Sequence, residues 1–216
     1  MHDVVQKLVH IEKLVKSKEI NSKKITIVAV SKTFNLDKVL PLIEYGHLHY
    51  GENKVQEALD KWTEIKEKKP EIKLHLVGRL QTNKVKFALK IFDFIHSVDN
   101  EKLAKKIADE EIKQNKKVKI FLQVNIGNEN QKSGVDKNDL GNLLSYCKNL
   151  ELDVIGLMCL PPANIDPVPF FKELNEMNQN LSLSELSMGM SSDYIKAIEN
   201  FSTFIRVGSS IFGERN

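Results

Sequence analysis

The stretch ITIVAVSKTF, residues 25–34, is a continuous apolar run rich in β-branched residues, and it stops on Lys32. A half-exposed strand alternates apolar and polar positions. A run without alternation reads as a strand covered on both faces, the kind found in parallel sheets flanked by helices. Seven more β-rich runs follow, several of them equally continuous: HLHYG (47–51), KLHLVG (73–78), FDFIHSV (92–98), KIFLQVNIG (119–127), DVIGLMCLP (153–161), LSELSMGM (183–190) and FIRVGSSIFG (204–213).

Helical patterns lie between them. NKVQEALDKWTEIKEKK puts Val55, Leu59 and Trp62 on one face, and NEKLAKKIADEEIKQN is expected to do the same with Leu103, Ile107 and Ile112. DKNDLGNLLSYCKN carries Leu140, Leu143, Leu144 and Cys147; PFFKELNEMNQN and DYIKAIENF are shorter; LDKVLPLIEYG fits if Pro41 lies near its first turn. Strand followed by helix, eight times over, is the pattern of an α/β fold of the (β/α)8 TIM-barrel type. An open doubly wound sheet is the alternative, but it would carry a Gly-rich loop after an early strand, and no GxGxxG or Walker motif is present. No linker, low-complexity tract or repeat interrupts residues 1–216, so one barrel domain is expected. The N-terminal MHDVVQKLVHIEKLVKSK, with Val4, Leu8, Ile11 and Val15 at helical spacing, is an extra amphipathic helix that would close one side or end of the barrel.

Composition narrows the function classes. With 41% hydrophobic and 28% charged residues, the 216-residue chain can bury a substantial core. The net charge is +3, and no Lys/Arg block is interleaved with aromatics, which argues against a nucleic-acid partner. Cys147 and Cys159 form no CxxC pair, so neither a disulfide framework nor a zinc knuckle is expected, as suits a reducing compartment. Charges interrupt the N-terminus, unlike a signal peptide, and no apolar run is long enough to span a bilayer. A cytoplasmic location is expected.

Active sites of such barrels lie at the C-terminal ends of the strands. Strand one ends at Lys32, which is either the first solvated residue or an amine at an apolar mouth, where desolvation favours the neutral form that attacks carbonyls. In FIRVGSS, Phe204, Arg206 and Gly208 share one face, and the β-branched Ile205 and Val207 suit the helix-facing layer, so Arg206 points into the barrel. It needs an acceptor there, either a structural partner or a ligand. Gly208 allows close backbone approach, and Ser209 and Ser210 add donors. In MGMSSDYIKAI, Ser191 or Ser192 either caps the next helix or helps bind an anion. Phosphates in barrels often sit between the loops after strands seven and eight.

Asn53, in YGENKVQEAL, either caps a helix through a capping-box variant with Gln56 or reaches a ligand ring. Met158, in GLMCLPP, is core filler or a cofactor contact. His47 and His49 have no third ligand at clear spacing, so no metal is expected, and His75 reads as a satisfied buried histidine. No Ser-His-Asp order or GxSxG elbow is present. An amine, an inward arginine and a phosphate cradle together suit a ligand with an aldehyde, an aromatic nitrogen and a phosphate, which is pyridoxal 5′-phosphate.

The segments AVSK, YGENKVQEALDK, LHLVGRLQTNKVK, IHSVD, FLQVNIGNENQKSG, GLMCLPP, LSMGMSSDYIKAI and IRVGSSIFGER, which span nearly the whole chain, resemble the pyridoxal phosphate homeostasis proteins and, more distantly, the N-terminal barrel domain of alanine racemases. The resemblance implies a monomeric or weakly self-associating barrel with Lys32 carrying the cofactor as an internal aldimine. It implies phosphate contacts from Ser191, Gly208 and Ser209, pairing of Arg206 with the pyridine nitrogen, and Asn53 near the cofactor. Lys132 matches a family lysine near the barrel mouth without an assigned role. The implied function is a carrier and regulator in pyridoxal phosphate (vitamin B6) homeostasis, with pyridoxal phosphate-dependent apoenzymes as candidate recipients. The alternative is an amino-acid racemase or a related small enzyme. Racemisation needs a base on each face of the cofactor. In alanine racemases one of these is a tyrosine reached through a further, mostly β domain, yet here all eight strands are used by residue 213. A protonated arginine also leaves the pyridine nitrogen unprotonated, a poorer electron sink.

Overall fold

A computed structural model describes residues 2–18, 24–129, 131 and 133–214. Its eight parallel strands close in chain order, β1 through β8 and back to β1. They are β1 (Thr26–Val30), β2 (His49–Glu52), β3 (Lys73–Leu76), β4 (Phe94–Val98), β5 (Lys119–Val124), β6 (Asp153–Cys159), β7 (Glu185–Met190) and β8 (Phe204–Val207). The helices are α1 (Asp3–Lys18), α2 (Leu36–Tyr45), α3 (Val55–Lys68), α4 (Val85–Ile91), α5 (Glu101–Gln114), α6 (Leu140–Asn149), α7 (Val168–Asn180), α8 (Tyr194–Ile198) and α9 (Ser209–Phe212). The expected (β/α)8 barrel is the observed one.

Strand alternation divides the core in two. Val28, Val30, Phe94, Phe121, Met158 and Phe204 fill the barrel interior. Ile27, Ala29, Leu74, Leu76, Ile205 and Val207 face outward into the larger layer under the helices. Both faces of β1 are thus covered, which is why ITIVAVSK shows no polar alternation. Helix α1 buries Val4, Val5, Leu8, Ile11 and Val15, and packs on α2, α8 and α9 beside the β8–β1 seam, where α8 and α9 are too short to cover the sheet. Pro41 lies inside α2 rather than in its first turn, and Val39, Leu42 and Ile43 still bury there.

Three local expectations need correction. FIRVGSSIFG is not one strand: β8 ends at Val207, and residues 209–212 turn into α9. A 3-10 turn (Thr82–Lys84) and α4 occupy the space between β3 and β4, where no helical segment was assigned. Ile112 is 80% exposed, because nine residues beyond Leu103 a helix has turned to its opposite side. Glu111 is buried in its place, accepting from the Val118 amide at 2.8 Å and pairing with Lys117 at 2.9 Å.

Candidate functional site

A cavity of about 650 Å³ opens at the C-terminal ends of the strands. Lys32, Asn53, Ser191, Arg206, Gly208 and Ser209 all line it. Met158 does not. It is 1% exposed in the barrel interior, and Leu160, two residues further on the same inward face, reaches the cavity instead. Lys132 lies outside the described residues.

Lys32 follows β1 at the next inward position after Val30. The residue before it faces the helices and is tied down: the Ser31 hydroxyl donates to Glu52 Oε1 at 2.7 Å, and Lys61 Nζ donates to the Ser31 carbonyl at 2.9 Å. Glu52 is fully buried and also accepts from Lys61 Nζ at 2.8 Å and Trp62 Nε1 at 3.0 Å. After Lys32 the chain turns through Thr33 at φ 68°, a costly conformation for a β-branched residue. The lysine is therefore held between two constrained neighbours.

Arg206 is 5% exposed. Its Nη1 donates to Ser187 Oγ at 2.7 Å and its Nη2 to the Cys159 carbonyl at 2.9 Å. Among the described residues it has no carboxylate partner in an ion pair. Burial pulls the guanidinium down to about 10, and burial pushes the Cys159 thiol up to about 12. A guanidinium has five N–H donors, so donors remain on the cavity side.

Ser191 and Ser192 do not cap α8. The cap position is Asp193, whose Oδ1 accepts from the Met190 amide at 2.6 Å. Ser191 instead joins the loops after β7 and β8: its Oγ accepts from the amides of Gly208 at 3.2 Å and Ser210 at 3.3 Å. Gly189 makes this approach possible, with φ +91° and a backbone so close to α8 that a Cβ would meet that of Ala197 at 2.6 Å. Asn53 caps nothing either. Lys54 holds the cap position of α3, and the Asn53 side chain faces the cavity.

Sequence reasoning missed the far wall. Gln123 donates to the Ser133 carbonyl at 3.0 Å, and Asn125, Gln131 and Ser133, which follow β5, also line the cavity. Arg79, which follows β3, also lines the cavity. The alternation Phe121, Gln123 was the available signal for an inward Gln123. Altogether the described lining holds three cations, Lys32, Arg79 and Arg206, with hydroxyls, amides and apolar groups, and neither carboxylate nor histidine. No cluster of metal-ligating side chains occurs among the described residues, and none of the described helices is long and apolar enough to cross a membrane.

Fold and cavity define a class, the lysine-bearing (β/α)8 barrels of the alanine racemase type. The family model of the alanine racemase N-terminal domain matches residues 11–216, and the chain belongs to that family and, within it, to the pyridoxal phosphate homeostasis proteins. It is 37% identical over 199 residues to the pyridoxal phosphate homeostasis protein of Aquifex aeolicus, covering 88% of this chain and 86% of that one. The protein of that name from Vibrio cholerae is 35% identical over 204 residues, covering 89% and 86%. Among solved structures, PipY of Synechococcus elongatus superposes with a TM-score of 0.89 at 32% identity, over 97% of this chain and 100% of PipY. A pyridoxal phosphate-bound form of PipY gives 0.87 at 31%. An alanine racemase of Clostridium difficile, at 12% identity and a TM-score of 0.75 over 57% of its length, shares the fold.

Proposed function

We propose that this protein binds pyridoxal 5′-phosphate in the 650 Å³ cavity, links it covalently to Lys32, and serves in the cytoplasm as a holder and supplier of the cofactor rather than as a catalyst. The observation that carries the reading is the charge of the lining: three cations and no acid among the described residues, around a space of ligand size. An anionic phosphate ester suits that field. The donor set fits the group in parts. Ser191, Gly208 and Ser209 would hold the phosphate, with Ser210 contributing the amide that now rests on Ser191. A Cβ at position 208 would sit 3.2 Å from the Val30 carbonyl and narrow that cradle. Arg206 would donate to the ring nitrogen, and Asn53 would stand beside the ring. Bound there, the cofactor would supply a reactive aldehyde. Lys32 is the amine to meet it, held by the Ser31–Glu52 anchor behind. The relatives' names and the cofactor-bound PipY support the same reading.

The non-catalytic part rests on the lining too. Racemisation takes a proton from one face and returns one to the other. Besides Lys32, the described lining offers amides, hydroxyls and guanidinium groups, none of them a ready base. The free, buried thiols of Cys147 and Cys159 accord with a reducing compartment.

The test is a titration of the purified protein with pyridoxal phosphate, followed by visible absorption, beside Lys32→Ala. A new band in the wild type, absent from the variant, is expected. Alanine and serine should remain unracemised by the loaded protein. Absence of any band sinks the cofactor reading, and turnover lost in Lys32→Ala sinks the non-catalytic one.

A further inference from the structure

A buried guanidinium with no carboxylate ion-pair partner among the described residues raises a physical problem, since a charge taken out of water needs compensation. The Arg206 contacts are neutral, a serine hydroxyl and a backbone carbonyl. Behind the serine lies a chain. Ser187 Oγ is 2.8 Å from His96 Nδ1, His96 Nε2 is 2.9 Å from His75 Nδ1, and His75 Nε2 is 2.9 Å from His49 Nδ1. These residues come from β7, β4, β3 and β2, so the chain crosses the barrel interior. It ends at the first residue of β2, the end of the barrel away from the cavity. Ser187, His75 and His96 are fully buried, and His49 is half-buried. Packing fixes the ring planes: His75 stacks on Phe94 at 4.2 Å between centroids and His96 on Phe121 at 4.4 Å.

The direction of every bond follows from the cation. Ser187 accepts from Arg206, so its own proton needs an acceptor, and the one at hand is His96 Nδ1. A neutral imidazole that accepts at Nδ1 donates at Nε2. His96 therefore donates to His75, and His75 to His49. All three rings adopt the Nε2–H form, and all the dipoles turn their negative ends toward Arg206. Aligned hydrogen bonds reinforce one another in a low-dielectric interior. Burial also drives His75 and His96 well below the ordinary imidazole range, which keeps the rings neutral.

We propose that Ser187, His96, His75 and His49 are a polarised relay that holds Arg206 as a cation aimed at the cavity and couples the occupant of the cavity to the opposite end of the barrel. These are positioning residues. The proposal rests on the pyridoxal phosphate reading only for what Arg206 meets; the relay itself stands without a ligand.

The experiment is nitrogen NMR of protein labelled at its histidine rings. In the ligand-free wild type, His96, His75 and His49 should each show a protonated Nε2 and a bare Nδ1. Ser187→Ala should scramble His96 and, through it, the shifts of His75 and His49, while Ser187→Thr, which keeps the hydroxyl, should restore the pattern. Added pyridoxal phosphate should move the same signals in the wild type and not in Ser187→Ala. An Nδ1–H form or a charged ring at His96 in the wild type overturns the relay without recourse to any variant. So does a Ser187→Ala spectrum in which His75 and His49 keep their wild-type shifts. Correct ring forms with no response to pyridoxal phosphate, and no absorption band, would leave the relay standing as the support of Arg206 and overturn both its coupling to the cavity and the cofactor reading.

Discussion

At Lys32 and Arg206, position along a strand carries the chemistry. Both side chains occupy inward positions at the C-terminal ends of β1 and β8, adjacent in the closed sheet, so that an amine and a guanidinium face one cavity. That much was legible in AVSK and FIRVG, because a period of two assigns each residue to a face. The Arg206 partners were not legible: Ser187 lies 19 residues away and the Cys159 carbonyl 47, and nothing local links them. Met158 shows the converse limit, since the sequence left it as core filler or a cofactor contact, and the fold places it in the barrel interior outside the cavity lining. Gly189 carries a prediction at this scale. With φ +91° and Ala197 Cβ 2.6 Å from where a Cβ would stand, Gly189→Ala combines backbone strain with overpacking. It should cost about 2–4 kcal/mol, read as a shift in the denaturant midpoint. A loss below about 0.5 kcal/mol, the range of an ordinary surface substitution, would contradict the geometry.

At the scale of elements, α4 and α9 escaped sequence reading, while the long helices and the five-residue α8 did not. α5 and α6 repeat their apolar faces over several turns. α4 has seven residues and α9 four, too few for a period of 3.6 to separate from a strand's apolar run. The same blur extended FIRVGSSIFG past Val207. The link between β1, β2 and α3 was equally hidden, because Glu52 looks like a solvated residue until the fold buries it. Its carboxylate gathers Ser31, Lys61 and Trp62 at 2.7, 2.8 and 3.0 Å. Glu52→Ala strands the Ser31 and Trp62 donors, leaves Lys61 with only the Ser31 carbonyl, and should destabilise the protein by about 3 kcal/mol, with Glu52→Gln losing clearly less. Since Ser31 precedes Lys32, the alanine variant should also bind pyridoxal phosphate more weakly than Gly189→Ala at matched stability. Equal stabilities for wild type and Glu52→Ala, in the same denaturant series, would count against the cluster.

Closure of the barrel is the property of the whole molecule that no segment contains. It brings His49, His75 and His96 from three strands into one chain, where the sequence showed only scattered histidines and marked His75 as buried and satisfied. Closure also sets the pH response. Burial, against the bonds to the His49 and Ile27 carbonyls, lowers His47 to about 4. Burial, with His47, Lys24 and Lys73 adding and Asp93 opposing, lowers His49 to about 4. His75 and His96 fall further, through burial first, then through the neighbouring rings at His75 and through Arg206 at His96. In the unfolded chain these groups take up protons near 6.5. As pH falls from there toward 4, the unfolded state binds more protons than the folded one, so stability falls with it. Each histidine contributes up to about 1.4 kcal/mol per pH unit. Denaturant midpoints should therefore drop steeply between about pH 7 and pH 5 and change little above about pH 7.5; a flat profile would mean that these rings take up protons in the folded protein as they do in the unfolded chain.

The most direct measurement is the position of the covalent link. The protein is incubated with pyridoxal phosphate, reduced with borohydride, digested and mapped by mass. The account predicts the added mass on the peptide carrying Lys32, and no comparable labelling at the other lysines. A label spread over surface lysines, with Lys32 unmodified, would contradict the claim that the end of β1 was built to meet an aldehyde.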